Sequence, residues 1–172
     1  KGGFFLTADD GEKLLIRAKE IYDGAIPSGN SVMALNLLRL HKMTGKEKYQ
    51  IAAEKLFSAF SGFLENSPQG AQVLLQALDF ALAPAKEIVV VGKPETENTD
   101  RLLREINQRF LPAKVLLFRS VTDKNEEILK FAPFLKNHKL MDKQATVYVC
   151  ENQTCQQPAT DPKKLGNILG KQ

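Results

Sequence analysis

The sequence predicts an α+β fold, with a helical first part and a smaller α/β second part. Apolar residues recur at three- and four-residue steps over residues 30–82, which is the spacing of helices with a buried face. After Pro84, short β-branched and apolar runs alternate with helical patterns, as in a small parallel sheet with right-handed crossovers. We therefore divide the chain into residues 1–84 and residues 85–172.

The opening segment is predicted to form a β-hairpin. Two apolar runs flank Asp9-Asp10-Gly11, and Asp-Gly is a frequent dipeptide of two-residue hairpin turns. The hairpin would bring its two arms side by side before the helices begin.

A polar loop, DGAIPSGNSV at residues 23–32, leads into the first helix. Pro27 fixes its own φ and keeps Ile26 extended, so the helix cannot start before this point. Ser28 or Asn30 can then place a side-chain oxygen on the free N–H groups of the next turn, as an N-cap does. The loop also has the composition of a ligand-binding loop, and the helix cap is the favoured interpretation.

Three helices are predicted in the first part, at residues 30–44, 47–64 and 69–82. Gly45 is the expected left-handed stop of the first, and Pro84 ends the third. The first and third helices are apolar around most of their circumference, and such helices need cover on nearly all sides. Three helices and a hairpin cannot supply that cover. Either the second part covers them or partner helices are absent from this chain.

The second part is predicted to contain three parallel strands and three helices. The strands are the apolar runs EIVVVG (87–92), KVLLFR (114–119) and ATVYVC (145–150). Helical patterns occupy residues 99–110 and 125–137, the latter interrupted by Pro133. A last helix is expected to start after Asp161-Pro162, because Asp can cap a helix and Pro suits its first position.

Composition and charge limit the class of protein. The net charge is +4, and the whole excess lies in residues 85–172, which carry fifteen Lys/Arg and eleven Asp/Glu. These charges are interleaved, without a basic stripe and with few aromatic residues for stacking, so nucleic-acid binding is only weakly supported and a solvated surface is the favoured interpretation. No apolar run approaches the length of about 18 residues that a membrane helix needs, and the start lacks a signal-peptide pattern. We expect a soluble, cytoplasmic protein.

The two cysteines, Cys150 and Cys155, are spaced C-x4-C at the end of the last strand and in the loop beyond. This is not the C-x2-C spacing of a redox pair, and zinc normally takes four ligands where only two thiols are near. Two reduced thiols are the favoured expectation for a cytoplasmic protein. A chain reversal could instead bring the sulfurs together as a disulfide or redox switch, and half of a metal site is the third alternative. We expect no metal and no cofactor.

Other candidate sites have structural explanations. Gly92 follows a strand and precedes a helix, but the further glycines of a phosphate-binding loop are missing. His41 is expected to be packed, and His138 to be solvated in a lysine-rich loop. The densest group of ligand-type side chains is Arg17, Lys19 and Asp23, for which exposed charges on a hairpin arm are the alternative explanation.

Three segments carry a resemblance to a known family. DGAIPSGNSVMALNLLRL, TGKEKY and the closing TVYVCENQTCQQPATDP together resemble the C-terminal part of the thioredoxin-like proteins of the spermatogenesis-associated family. The resemblance covers essentially the whole chain. It implies a thioredoxin-like domain followed by an α/α toroid like that of six-hairpin glycosidases and N-acylglucosamine epimerases. Residues 1–84 would then be the last hairpins of an incomplete toroid.

The resemblance also assigns expectations to particular residues. Asp23, Ser28 and Asn30 match the loop at the toroid mouth, where related toroids bind sugars, so with Arg17 and Lys19 they are the candidate ligand-binding residues. Cys150 and Cys155 match the family's C-terminal pair, whose function the resemblance does not define. No C-x-x-C occurs, so the thioredoxin motif cannot be transferred.

These observations lead to a ranked set of functions, none of which requires the chain to be an enzyme. The first is a C-terminal portion of a toroid protein that contributes to a carbohydrate-type cavity and is not catalytic alone. Its partners would be the rest of the toroid, the thioredoxin-like domain and a sugar-like ligand. The second is an interaction or scaffold module that presents the thioredoxin-like domain. The third is a thiol redox function of Cys150 and Cys155. An isolated fragment of this kind is also expected to self-associate.

Overall fold

The computed structural model describes residues 2–123, 127–152 and 154–170. The chain separates into two compact units, one of residues 1–41 and 46–83, the other of residues 42–45 and 84–172. The described residues form six α-helices and a sheet of four strands. The fold is therefore of mixed α and β type.

The first unit is helical, as its apolar periodicity predicts. Its helices are α1 (Gly29–Thr44, of which the last three residues belong to the second unit), α2 (Glu47–Asn66) and α3 (Gln72–Leu82). A short 3-10 helix, Pro68–Gly70, connects α2 to α3. All three helices contribute apolar side chains to the core, among them Ala34, Leu37, Leu38, Ala53, Leu56, Leu74, Ala77 and Phe80.

The predicted N-terminal β-hairpin is not formed as a pair of strands. The chain does turn at Asp9-Asp10, and the Leu6 amide donates to the Ala18 carbonyl at 3.0 Å, but no strand is present in residues 2–28. Side chains rather than a backbone ladder hold the two arms together, as described below. The Asp-Gly dipeptide therefore correctly predicted that the chain turns here, but the two arms do not pair as β-strands.

The second unit is built on a mixed sheet in the order β2-β1-β3-β4. Its strands are β1 (Lys86–Gly92), β2 (Lys114–Ser120), β3 (Thr146–Glu151) and β4 (Thr154–Cys155). The first two strands are parallel, as predicted, whereas β3 runs antiparallel to both β1 and β4. The prediction of a three-stranded parallel unit is thus wrong, because an apolar run that is buried on both faces looks the same in either direction.

Helices cover both faces of this sheet. On one face, Ile88 and Val90 of β1 pack with α4 (Glu97–Asn107) and α6 (Pro162–Leu169). On the other face, Val89 and Val91 pack with Ala132 and Leu135. Alternate residues of β1 thus enter two separate cores, which explains why residues 88–91 of this strand are all apolar.

The segment on that second face is shorter than the helix predicted for residues 125–137. It consists of α5 (Glu127–Phe131) and a 3-10 helix, Pro133–Asn137, and the predicted start at residues 125–126 lies outside the described residues. Pro133 explains the break, since it cannot donate a backbone hydrogen bond within the helix. The last helix begins as predicted: Pro162 is its first residue, and the Asp161 carboxylate accepts from the Lys164 amide at 2.9 Å.

Candidate functional site

Asp23, a candidate ligand-binding residue, is buried and fully engaged with backbone groups. Its Oδ1 accepts from the Ser28 amide at 2.8 Å, and its Oδ2 accepts from the Val73 amide at 2.8 Å and the Leu74 amide at 3.4 Å. Val73 and Leu74 lie in the first turn of α3, whose own N-cap position, Ala71, provides no side-chain acceptor. Asp23 therefore supplies the missing cap of α3 from 50 residues away in the chain.

Ser28 and Asn30 have different functions in the loop. Ser28 caps α1, because its Oγ accepts from the Ser31 amide three residues later at 3.1 Å. Asn30 instead binds the N-terminal arm: its Oδ1 accepts from the Phe4 amide at 2.6 Å, and its Nδ2 donates to the Phe4 carbonyl at 3.0 Å. The same Nδ2 also donates to the Glu20 carbonyl at 2.7 Å. Of the two capping residues that the sequence offers, Ser28 is the one that caps.

Arg17 and Lys19 hold the two arms of the opening segment together. The guanidinium of Arg17 donates to the Thr7 carbonyl at 2.6 Å and forms an ion pair with Asp9 at 2.5 Å. The Lys19 ammonium donates to the Gly2 carbonyl at 2.5 Å. Both cations also lie over the ring of Phe5, at 4.2 and 4.5 Å from its centre. These contacts replace the strand pairing that the hairpin lacks.

All five candidate residues thus have protein partners in the structure. Arg17 and Lys19 bind the two arms of the opening segment to each other. Asp23, Ser28 and Asn30 form hydrogen bonds that connect the opening segment and the loop to α1 and α3. The charges of Arg17 and Asp23 are compensated by groups of the chain itself, so this cluster can organise the first unit without any ligand.

A second candidate site lies in the second unit, where Cys150 and Cys155 form a disulfide across β3 and β4. This result differs from the favoured expectation of two reduced thiols. Asn152 adopts a positive φ of 49° directly after β3, as is common in tight hairpin turns, and the reversal brings the cysteines opposite each other. Cys155 is exposed, whereas Cys150 is half-buried.

His138 lies at the same site and is not solvated as expected. Its ring makes edge-to-face contacts with Phe134 and Tyr148, at centre distances of 6.0 and 4.6 Å. Its Nδ1 is buried and finds no hydrogen-bond partner among the described residues. Burial lowers the pKa of His138 from its usual value of 6.5; the Phe134 backbone opposes this effect and Arg119 adds to it. The imidazole is therefore neutral at pH 7.

The disulfide and His138 border the same largely apolar cavity, which has a volume of about 160 Å³. Its walls include Val115, Leu117 and Phe134, and His138, Cys150 and Cys155 line it as well. The sequence carries no direct sign of this cavity, because its lining residues come from five separate segments, at positions 42, 87–89, 115–117, 134–138 and 150–155. The C-x4-C spacing and a histidine near a proline were the signals available.

Two further properties concern metals and membranes. Within the described ranges, no group of three or more His, Cys, Asp or Glu side chains is arranged to hold a metal ion. None of the helices in the described part of the chain is both long and apolar enough to cross a membrane.

Known proteins similar to this chain match it over almost its whole length. It is 37% identical over 169 residues to spermatogenesis-associated protein 20 of Rattus norvegicus and to that of Homo sapiens. It is 28% identical over 172 residues to an uncharacterized protein of Caenorhabditis elegans. Each match covers 98% of this chain, but the chain spans only 21% of the rat and human proteins and 23% of the nematode protein. No protein-family model and no solved structure matches the chain.

Proposed function

We propose that this chain is the non-catalytic C-terminal portion of a larger protein similar to spermatogenesis-associated protein 20. In this proposal, the first unit completes an α/α toroid by packing against helices from the rest of that protein. The thioredoxin-like domain that the resemblance implies would be another part of the same protein. Relatives about five times as long as this chain leave room for both, since the match spans 21% of their length.

The observation that carries the proposal is the exposed apolar surface of the first unit. Leu15 and Ile16 are 105% and 83% exposed, and Ile26 in the polar loop is 83% exposed. Several more large apolar side chains of this unit are exposed, among them Leu6, Leu14, Tyr22, Val32, Ile51, Leu75 and Leu82. Single exposed apolar residues are ordinary, but so many in one small unit indicate a surface that another element covers.

The contacts of the polar cluster support an assembly function more than carbohydrate binding. A sugar at Arg17, Lys19, Asp23, Ser28 and Asn30 would have to replace backbone and ion-pair partners that these groups already have. The hydrogen bonds of these five residues instead fix the conformation of the segment in which Leu15, Ile16 and Ile26 are exposed. We therefore rank a carbohydrate-type cavity below assembly with the rest of the protein. A scaffold function, in which the toroid presents the thioredoxin-like domain, is compatible with assembly.

Fragment complementation tests this proposal. The rat relative without its matched segment is co-expressed with this chain, and the rat matched segment serves as the positive control. We expect the two polypeptides to co-purify, and the double change Leu15→Asp, Ile16→Asp to abolish the complex. Lys13→Glu, in the same exposed arm, is the matched control and should leave the complex intact. If the positive control associates and this chain does not, the assembly proposal is wrong.

The carbohydrate alternative has a separate measurement. Thermal shifts of the full-length rat relative are recorded with a panel of neutral sugars and sugar phosphates. A stabilisation that disappears on changing the aspartate equivalent to Asp23, with the folded state retained, would favour a sugar site over our ranking.

A further inference from the structure

We propose that the Cys150–Cys155 disulfide is a thiol-exchange site that accepts two electrons from a dithiol. This inference is independent of the assembly function proposed above, since all the groups involved lie in the second unit. It is carried by the placement of the disulfide, which is exposed, sits at the edge of the sheet and borders the apolar cavity.

The accessible sulfur belongs to Cys155. β4 consists of two exposed residues at the edge of the sheet, so a reductant can reach Cys155 without opening the core. Cys150 is half-buried in β3 and lines the cavity. Thiol–disulfide exchange requires access to one sulfur and release of the other as a thiolate. The structure therefore assigns Cys155 as the attacked sulfur and Cys150 as the leaving group.

The charges near Cys150 are compensated. Glu87 lies opposite Cys150 in the sheet, and Glu151 follows it in the chain, so two carboxylates would oppose a thiolate at this position. However, Lys42 binds Glu87 at 3.0 Å and Lys86 binds Glu151 at 2.8 Å. All four side chains belong to the second unit. These ion pairs reduce the repulsion that the leaving thiolate would otherwise meet.

The disulfide is not needed to hold the neighbouring chain in place. The Gln156 amide donates to the Val149 carbonyl at 2.9 Å. Val147 and Ala159 exchange two backbone hydrogen bonds, of 2.8 and 2.9 Å, and both residues are fully buried. The bridge itself closes a loop of only a few residues, for which the loss of chain entropy is small. Reduction therefore frees β4 and leaves the remainder of the unit folded.

The reaction takes place in two exchanges. A thiolate of the dithiol attacks Cys155 Sγ, the Cys150–Cys155 bond breaks, and Cys150 leaves with the electron pair and takes up a proton. The second thiol of the reductant then loses its proton and attacks its own partner sulfur in the mixed disulfide. Cys155 is released as a thiolate and is protonated. The dithiol has become a disulfide, and the protein has gained two electrons and two protons.

Trapping with glutathione tests the assignment. The oxidised 172-residue chain is incubated at pH 7 without denaturant, quenched with acid, and digested with a protease that cleaves after glutamate. Cleavage after Glu151 separates the two cysteines, so mass spectrometry shows which one carries glutathione. We expect glutathione on Cys155 in about tenfold excess over Cys150. An equal distribution, or an excess on Cys150, would overturn the assignment.

Dithiothreitol tests the reduction itself. We expect both thiols to become free in native buffer while the NMR amide signals of β1, β2 and α4 keep their positions. Signals of residues 148–156 should shift. The double variant Cys150→Ser, Cys155→Ser is the control and should give the spectrum of the reduced protein. If reduction requires denaturant, or if it shifts signals throughout the unit, the disulfide is a structural bridge and the proposal fails.

Discussion

Asp23 connects three segments of the first unit through one carboxylate. The group accepts hydrogen bonds from the loop at Ser28 and from two amides at the start of α3. It is negatively charged at the positive end of a helix, where a carboxylate is favoured. These hydrogen bonds explain why an acidic side chain is buried in this unit.

Replacing Asp23 with Asn should destabilise the protein by about 1–2 kcal/mol, because the charge is lost and one acceptor becomes a donor facing an amide. Urea unfolding followed by circular dichroism measures this difference. Asp10→Asn, at an exposed position of the N-terminal turn, is the matched control and should change stability by less than about 0.5 kcal/mol. Equal effects of the two changes would contradict the capping function of Asp23.

His138 makes stability depend on pH. Its pKa is lowered in the folded state, so the unfolded chain takes up the proton first as the pH falls below 6.5. Above pH 6.5 the imidazole is neutral in both states, so His138 adds no pH dependence to the free energy of unfolding. As the pH falls from 6.5 to the lowered pKa of the folded state, the free energy of unfolding decreases, because the unfolded chain binds the proton more tightly. His138→Phe, which keeps an aromatic ring beside Phe134 and Tyr148, should remove this part of the decrease. Urea midpoints of both proteins between pH 8 and pH 5 measure it. Parallel curves would show that His138 does not contribute.

At the scale of whole elements, the start of α1 depends on Ser28. Its hydroxyl satisfies the free amide of Ser31, and Pro27 keeps the preceding chain out of the helix. The neighbouring Asn30 is already inside α1 and binds the N-terminal arm instead. Two polar residues of one loop thus stabilise different elements.

Ser28→Ala should therefore cost about 1 kcal/mol, the usual loss for an N-cap. Ser61→Ala, on the exposed surface of α2, is the control and should be close to neutral. Thermal unfolding by circular dichroism gives both values. Asn30→Ala has a different expected signature, which is faster amide exchange at Phe4, because this change removes the acceptor of that amide. Faster exchange at Phe4 in Ser28→Ala alone would reverse the assignments.

At the scale of the whole molecule, the most informative property is the apolar surface of the first unit. Leu15, Ile16 and Ile26 lie in segments without helix or strand, so their own elements cannot bury them. Surfaces of this kind on isolated chains bind other copies, partner proteins or apolar dyes.

We expect the isolated chain to bind an apolar dye or to associate at micromolar concentration. Light scattering and dye fluorescence measure the two properties. The double change Leu15→Asp, Ile16→Asp should reduce both signals, whereas Lys13→Glu should leave them unchanged. A compact monomer that binds no dye would argue against a covered surface, and so against the assembly function.

Features that depend on neighbours within a few residues could be predicted from the amino-acid sequence. Apolar periodicity located the three helices of the first unit, Asp161-Pro162 marked the start of α6, and the residues around Pro27 marked the start of α1. Each of these signals is a pattern of residues at most four positions apart, so it can be recognised without knowing where the segment lies in the fold.

Features that join distant segments became visible once the fold was known. The direction of β3, the carboxylate of Asp23 at the start of α3 and the burial of His138 against Tyr148 all depend on such contacts. The disulfide depended on a strand too short and too exposed to leave an apolar pattern. An apolar run does not show whether its strand is parallel or antiparallel, and a single acidic residue does not show which group it binds. Packing energy summed over the whole unit determines both.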